Sequence, residues 1–271
     1  MTSGMRRLLL KKPAPQDRAL RPTILPPNGF GVARNFAAEY DRRRMRTLIA
    51  ASLGYLVGSF PTADVVTRYA ARRNGEESVD LRAAGTGNPG SLNAAKLLGW
   101  KWGAIILAGD MMKGALASLA GRAVAGDNGT YAAGSGAVIG HCAPVWSGFR
   151  GGKGVATSAG TSLVCFPAYM PVDISLAAAT LALSRGQAGT ATYVASAVFV
   201  TAALYWWLRR NGSLWGPKPT IGLPAYALST SAIITYRFVT AQMAPASPPQ
   251  TAALQTIPLK AKRPLSRNPL P

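Results

Sequence analysis

The chain has 271 residues, of which 48% are hydrophobic and 15% are charged, and its 30 Lys and Arg face only 10 Asp and Glu, a net charge of +20. A soluble domain carries about 25% charged residues, and here the charges gather at the ends and in short segments between long apolar runs. This pattern excludes an ordinary soluble enzyme and predicts an all-α, polytopic membrane protein. Nucleic acid is not expected as a partner, because no nucleic-acid motif accompanies the charge. Positive loops that face anionic headgroups and phosphorylated substrates explain it better.

Three regions follow one another along the chain. Residues 1–44 and 244–271 are basic and rich in proline, which predicts disordered tails, and residues 45–243 form one membrane domain. Seven apolar runs in that domain predict seven transmembrane helices: 47–66, 101–125, 130–147, 154–170, 171–184, 189–208 and 220–241. The fourth and fifth runs are short and carry Pro167 and Pro171, so they are predicted to be half-spans or a re-entrant pair.

The segment Gly140–Thr157 holds His141, the only histidine, and the turn Gly151-Gly152-Lys153-Gly154. Glycines let successive backbone N–H groups converge on an anion, and Lys153 adds a mobile positive charge. The same composition is also typical of a basic loop between membrane helices. It is not a Walker A loop, because glycine rather than Ser or Thr follows Lys153.

A second polar loop runs from Gly85 to Asn93 and reads Gly-Thr-Gly-Asn-Pro-Gly-Ser-Leu-Asn. Its hydroxyls, amides and free N–H groups suit a polyol or phosphate, although the same residues also suit a plain turn-rich connector. Asp110 and Lys113 share one face of the second apolar run, where they either neutralise each other or contact a ligand. Pro61 predicts a kink close to Ser59.

His141 is the candidate general base, since the chain has no other histidine. The H-x-x-x-x-D pattern of acyl-CoA-dependent acyltransferases is absent, because Trp146 stands at the acidic position, and G-x-S-x-G is absent too. Cys142 and Cys165 lack the spacing of metal ligands or of a disulfide framework. Neither a metal nor a cofactor is therefore expected.

Taken together, these motifs resemble the bacterial acyl-phosphate:glycerol-3-phosphate acyltransferases, the PlsY family. The likeness covers about 50–240 and keeps the family's order: Gly58-Ser59-Phe60-Pro61, Arg82 ahead of Gly85–Asn93, Asp110-x-x-Lys113-Gly114, and Gly140–Thr157. The resemblance implies a seven-helix enzyme that moves an acyl chain from acyl phosphate to the 1-position of glycerol 3-phosphate. The products would be 1-acyl-glycerol 3-phosphate (lysophosphatidate) and phosphate, formed without acyl carrier protein or CoA.

The resemblance also assigns roles. It implies Lys153, His141, Arg82 and Ser59 as catalytic residues. It further implies a substrate-binding set: Gly85, Thr86, Gly87, Asn88, Gly90, Asn93, Asp110, Lys113, Arg150, Gly151, Gly152, Gly154, Val155, Ala156 and Thr157. A peripheral enzyme that produces acyl phosphate is an expected partner, and the active site should face the cytoplasm from the plasma membrane.

Two segments depart from the family. Thr192–Ser196 has Ala195 where the family usually has serine, and Tyr236–Thr240, which includes Phe238, replaces a His-Arg-Glu-Asn run. The expected result is weaker acceptor binding, shown as a raised KM for glycerol 3-phosphate. A weakly active paralogue that binds lipid phosphates is one alternative. A small transporter is another, suggested by the intramembrane Asp110 and Lys113 and by the broken helices.

Seven spans place the two ends of the chain on opposite faces. A cytoplasmic active site then puts the first residues outside, against the eleven Lys and Arg between Arg6 and Arg46. Translation from Met45 would remove most of this conflict, so the sequence predicts a native protein that lacks 1–44.

Overall fold

A computed structural model of the protein describes residues 29–243, and this range contains α-helices and short 3-10 turns but no β-strand. The chain divides into two compact units, Met1–Arg42 and Arg43–Pro271, and the site lies in the second. The helices are α1 (Gly29–Gly58), α2 (Thr62–Asn74), α3 (Ser91–Leu98), α4 (Trp100–Cys142), α5 (Val155–Cys165), α6 (Met170–Leu183), α7 (Ala188–Arg209) and α8 (Gly222–Met243). The predicted all-α class is confirmed.

Helix α4 is two antiparallel arms joined by a tight turn. Ala125 and Gly126 have non-helical backbone angles, and Gly126 adopts φ 62°, a region that favours glycine. The arms approach so closely that a Cβ on Gly121 would lie 2.2 Å from the carbonyl oxygen of Gly129. With arms 100–124 and 127–142 counted separately, seven helices correspond to the seven predicted apolar runs, and α2 and α3 lie in the polar connection between the first two.

Three stretches are long and apolar enough to cross a membrane, namely Arg34–Asn74, Trp100–Ser147 and Ala188–Arg209. The pair Val155–Cys165 and Pro167–Leu183 qualifies as a fourth, broken span and is bent by 115°. The predicted broken central pair is thus confirmed. Its hinge is at Phe166 and Pro167 alone, because the predicted second hinge, Pro171, sits in the first turn of α6, where proline is well tolerated.

The first predicted run, 47–66, has different boundaries in the structure. Helix α1 ends at Gly58, and α2 begins at Thr62 after the break that Pro61 imposes. Helix α1 begins at Gly29, so residues 29–44 are helical where the sequence predicts a disordered tail. The remaining tail residues, 1–28 and 244–271, lie outside the described residues, and the division into tails and membrane domain stays a prediction.

Glycines set the contact between α1 and the second arm of α4. A Cβ on Gly54 or Gly58 would lie 2.1 Å from the carbonyl oxygen of Ala133 or Ala137, respectively. This small-xxx-small spacing lets two membrane helices approach backbone to backbone. The two helices run parallel, so their C-terminal ends meet at one end of the bundle. At the other end, Arg46 Nε donates to the carbonyl of Val124 at 2.8 Å, beside the bend of α4.

Candidate active site

A small cavity lies at the bundle end where α1 and α4 terminate. It draws on the segment after α1, the polar loop before α3, both arms of α4 and the glycine loop before α5. Its lining includes Phe60, Thr62, Arg82, Pro89, Asp110, Lys113, His141, Gly151 and Gly152. The fold therefore brings together four of the segments that carry the family resemblance.

A charged group lies buried in the wall of this cavity. Lys113 Nζ is 3.0 Å from Asp110 Oδ1 and also donates to the carbonyl of Phe60 at 3.0 Å. His141 Nδ1 is 3.5 Å from the same Asp110 oxygen, and none of these three ionisable residues is more than 8% exposed. A buried carboxylate is stable only with such partners. The H-x-x-x-x-D pattern is absent, yet α4 supplies a His–Asp pair from residues 31 positions apart.

The glycine loop is pressed against His141. A Cβ on Gly152 would lie 2.3 Å from His141 Nε2, and a Cβ on Gly151 would lie 2.0 Å from the carbonyl oxygen of His141. The N–H of Gly152 donates to that same carbonyl at 3.2 Å. Gly154 has φ 89°, which favours glycine and lets the loop turn into α5. Positions 151 and 152 are glycine because a larger residue at either one would clash with His141.

Arg237, near the end of α8, holds the glycine loop from the other side. Its Nη2 donates to the carbonyl of Gly151 at 2.6 Å and its Nε to the carbonyl of Gly152 at 3.2 Å. Sequence reasoning missed this role, because it treated Tyr236–Thr240 only as a replaced motif. The available signal was a basic residue inside the last apolar run, where a charge is costly and usually has a function.

Lys153 is half-buried, and its Nζ lies 4.2 Å from the centre of the Phe238 ring, a cation–π contact. Burial, followed by the neighbouring charge of Arg237, lowers the pKa of Lys153 below its ordinary value. Phe238 therefore supports the lysine of the glycine loop. The expectation that Phe238 weakens acceptor binding stays a prediction.

Arg82 joins the two polar loops. Its Nη1 donates to Asp64 Oδ1 at 2.6 Å and its Nε to the carbonyl of Arg150 at 2.7 Å. Ser147 Oγ donates to the other oxygen of Asp64 at 3.4 Å. The side chain of Arg150 is exposed, so this residue contributes its carbonyl. Asp64, in the first turn of α2, was not foreseen from the sequence.

The amide of Asn93 is used inside its own loop. Its Nδ2 donates to the carbonyls of Leu81 at 3.0 Å and Ala84 at 2.9 Å, and its Oδ1 accepts from the N–H of Thr86 at 2.9 Å. Gly85 and Gly87, at φ 61° and 69°, complete the turn. The other predicted loop residues, Asn88 and Gly90, are partly buried, and the loop reaches the cavity through Pro89. Asn93 thus shapes the loop.

Six of the predicted site residues line this cavity: Arg82, Asp110, Lys113, His141, Gly151 and Gly152. Lys153 and Gly154 continue the glycine loop beyond the lining, and Ser59, Thr157, Val155 and Ala156 also lie outside it. Ser59 and Thr157 are fully buried, and neither hydroxyl has a hydrogen-bond partner among residues 29–243. Ser59 packs against Gly140, and Thr157 packs against Gly114. Val155 faces a separate apolar groove between α5, α6, α7 and α8, and Ala195 lines the same groove. Ala156 lines neither space.

Within residues 29–243, no cluster of three His, Cys, Asp or Glu side chains could hold a metal ion. Fold and site together define an integral membrane protein with a polar, cation-rich cavity at one end of a helical bundle. The chain belongs to the glycerol-3-phosphate acyltransferase family, whose family model matches residues 48–242. The resemblance drawn from the motifs is confirmed, and the family is one of acyltransferase enzymes.

Several relatives carry the same family name. The glycerol-3-phosphate acyltransferase of Exiguobacterium sibiricum is 43% identical over 133 residues, which are 49% of this chain and 62% of that protein. That of Thermoanaerobacter pseudethanolicus is 32% identical over 163 residues, 60% of this chain and 79% of that protein. A crystal structure of PlsY, an integral membrane glycerol 3-phosphate acyltransferase in its glycerol 3-phosphate form, has a TM-score of 0.58 and 27% identity, covering 73% of this chain and 90% of PlsY.

Proposed function

We propose that this protein transfers the acyl group of an acyl phosphate to the 1-hydroxyl of glycerol 3-phosphate, giving 1-acyl-glycerol 3-phosphate and inorganic phosphate. The observation that carries the proposal is the meeting of Arg82, Lys113 and the glycine loop around one cavity at the end of a membrane bundle. A PlsY crystal structure in the lysophosphatidic acid form, with a TM-score of 0.56 and 25% identity, supports a product of this kind.

The two substrate phosphates need separate cationic sites. Arg82, anchored by Asp64 and by the carbonyl of Arg150, presents the rest of its planar fork to the acceptor phosphate. The Lys153 ammonium and the N–H groups of the glycine loop other than that of Gly152, which donates to the His141 carbonyl, bind the donor phosphate, whose negative charge rises as it leaves. Lys113 faces the same cavity, and its ammonium offsets part of the negative charge of the two substrate phosphates. Positioning and charge stabilisation then carry the catalysis, since an acyl phosphate already has a good leaving group.

In the chemical step, the 1-hydroxyl oxygen bonds to the acyl carbon, and the bond from that carbon to the phosphate oxygen breaks. The hydroxyl proton passes to an oxygen of the departing phosphate. His141 is a poor candidate for this proton, because its ring is 8% exposed, its Nε2 packs on Gly152 and its Nδ1 faces Asp110. Its role in this scheme is to fix the glycine loop against the cavity.

The cavity end of the bundle faces the cytoplasm of a bacterial plasma membrane in this proposal. The loops and short helices at that end carry exposed basic residues: Arg68, Arg72, Arg73, Lys96 and Arg150. Basic residues are frequent in cytoplasmic segments, which supports this orientation. Acyl phosphate would arrive there from a peripheral enzyme that makes it, and residues 45–243 form the catalytic domain.

The purified full chain, given palmitoyl phosphate and labelled glycerol 3-phosphate, should release lysophosphatidate and phosphate in equal amounts. Palmitoyl-CoA should not replace the donor, and equal turnover with it would contradict the proposal. The Lys153→Ala variant is the matched control for contaminating activity. A weakly active paralogue that binds lipid phosphates would bind palmitoyl phosphate without turnover.

A further inference from the structure

A groove lies between α5, α6, α7 and α8 and begins beside the glycine loop. Val155 lines it two residues after Lys153. Ile234 also lines it and lies 3.1 Å from the position that a Cβ on Gly154 would take. One turn further along α8, Phe238 carries the Lys153 ammonium over its ring. The groove therefore begins next to the proposed donor-phosphate site.

The groove wall is mostly apolar and opens to the outside of the bundle. Val155 is 51% exposed and Ile174 is 62% exposed on its rim, whereas Phe199 is 7% exposed in its interior. An acyl tail can enter such a groove sideways from the bilayer while its phosphate reaches Lys153. This occupant follows from the proposed function, because an acyl phosphate is the ligand that joins a phosphate site to an apolar groove.

One side chain in the groove does not suit a plain hydrocarbon. Asp173 lines it, lies partly buried, and makes no hydrogen bond or ion pair with any residue from 29 to 243. Acidic residues in membrane-spanning segments are costly and usually serve a function. Serine hydroxyls stand on the surrounding walls at Ser158, Ser196 and Ser231.

Asp173 lies at the groove end far from Lys153, because it sits in the first turn of α6, just after the break that ends α5. Along α5, the groove-lining residues Val155 and Ser162 are seven positions apart, or about 10 Å at the helical rise. An extended hydrocarbon covers this distance in roughly eight carbons. With the acyl chain of the donor in this groove, as the proposed function requires, we infer that Asp173 selects chains that carry a hydroxyl group near mid-chain.

Two donors test this inference: palmitoyl phosphate, and palmitoyl phosphate with a hydroxyl group about ten carbons from the carbonyl. The wild-type protein should favour the hydroxylated donor in kcat/KM by about 10-fold or more, since the hydroxyl gains a bond to a charged acceptor. Asp173→Leu should abolish the preference by raising turnover of the plain donor and lowering that of the hydroxylated one. A β-hydroxylated donor, whose hydroxyl stays near the phosphate, should behave like the plain donor in both proteins.

Asp127→Leu is the matched control, because Asp127 also lies in the first turn of a helical arm but outside the groove. Its preference between donors should equal that of wild type. Equal turnover of both donors by wild type, or an unchanged preference in Asp173→Leu, overturns the inference and leaves the proposed activity intact. Calorimetric binding of palmitate and mid-chain hydroxypalmitate gives the comparison without turnover. An Asp173-dependent binding preference in a protein that turns over no acyl phosphate would support the groove and refute the activity.

Discussion

Arg82 and Asp64 are joined at 2.6 Å between Nη1 and Oδ1, although 17 residues separate them in the chain. The pair is partly shielded, with the two side chains 14% and 28% exposed, so it is screened less than a surface ion pair. Together with the Arg150 carbonyl, Asp64 fixes the guanidinium in one orientation. The cavity is thus bounded by a cation whose direction is set before any substrate arrives.

Removing Asp64 should therefore weaken acceptor binding. Asp64→Ala leaves the Arg82 fork with the Arg150 carbonyl and a longer contact of 3.7 Å to Asp80. We expect KM for glycerol 3-phosphate to rise about 10-fold or more, the usual loss for a bond to a charged group. Steady-state kinetics with each substrate varied in turn measures this, and KM for acyl phosphate should stay within twofold. A fall in the acceptor KM would mean that Asp64 competes with phosphate for Arg82.

The glycine loop gives a second test through Arg237. Arg237→Gln removes at least one of the two bonds to the Gly151 and Gly152 carbonyls, and loss of this ordering should lower kcat/KM by about 10- to 100-fold. Tyr236→Ala changes an exposed neighbour and should leave the kinetics unaltered. If Arg237→Gln matches wild type while the protein folds normally, the loop is held by its glycines alone.

Apolar runs and motifs in the sequence predicted much of this structure, because a membrane helix requires a long apolar segment. The seven helices, the bent central pair and the Asp110–Lys113 contact followed from composition and from spacing within one helix. The partnerships of Asp64 with Arg82 and of Arg237 with Gly151 could not be predicted, since they join residues 18 and 86 positions apart. The position of Ala195, which the sequence suggested to be on the acceptor side, also could not be predicted. A side chain's face depends on how α7 packs, and packing places Ala195 in the apolar groove.

The role of His141 can be separated from general-base catalysis. His141→Gln keeps hydrogen-bonding capacity and much of the volume but has no basic nitrogen. A positioning role predicts a loss of about 10-fold or less, whereas removal of a general base costs about 10²- to 10⁴-fold. The pH dependence of kcat/KM gives the second readout, because the positioning role predicts that the variant keeps the acidic limb of wild type. Loss of that limb would identify His141 as the base.

Lys153 should set the alkaline limb of activity. Its ammonium must be protonated to hold the donor phosphate, and burial together with Arg237 keeps its pKa below the ordinary 10.5. Activity should therefore fall, as pH rises, before pH 10.5 is reached. Lys153→Arg carries a charge that persists above pH 12 and should remove this limb, while Lys153→Ala should cost about 10²-fold or more at neutral pH. Rates corrected for donor hydrolysis measure both effects, and an alkaline limb unchanged in Lys153→Arg would assign the limb to another group.

The close contact between Gly152 and the His141 ring gives the last prediction. Gly152→Ala would place a methyl group 2.3 Å from His141 Nε2, so either the ring or the loop must move. Because the ring is buried against Asp110, we expect the loop to yield, and the donor phosphate loses its aligned N–H groups. A displacement of about 1 Å typically costs about 10²-fold in rate, and KM for acyl phosphate should rise with it. Gly212→Ala is the matched control, since a Cβ there meets nothing within 4 Å, and its kinetics should equal those of wild type. Wild-type kinetics in Gly152→Ala, with unchanged thermal stability, would show that the loop does not bind the donor.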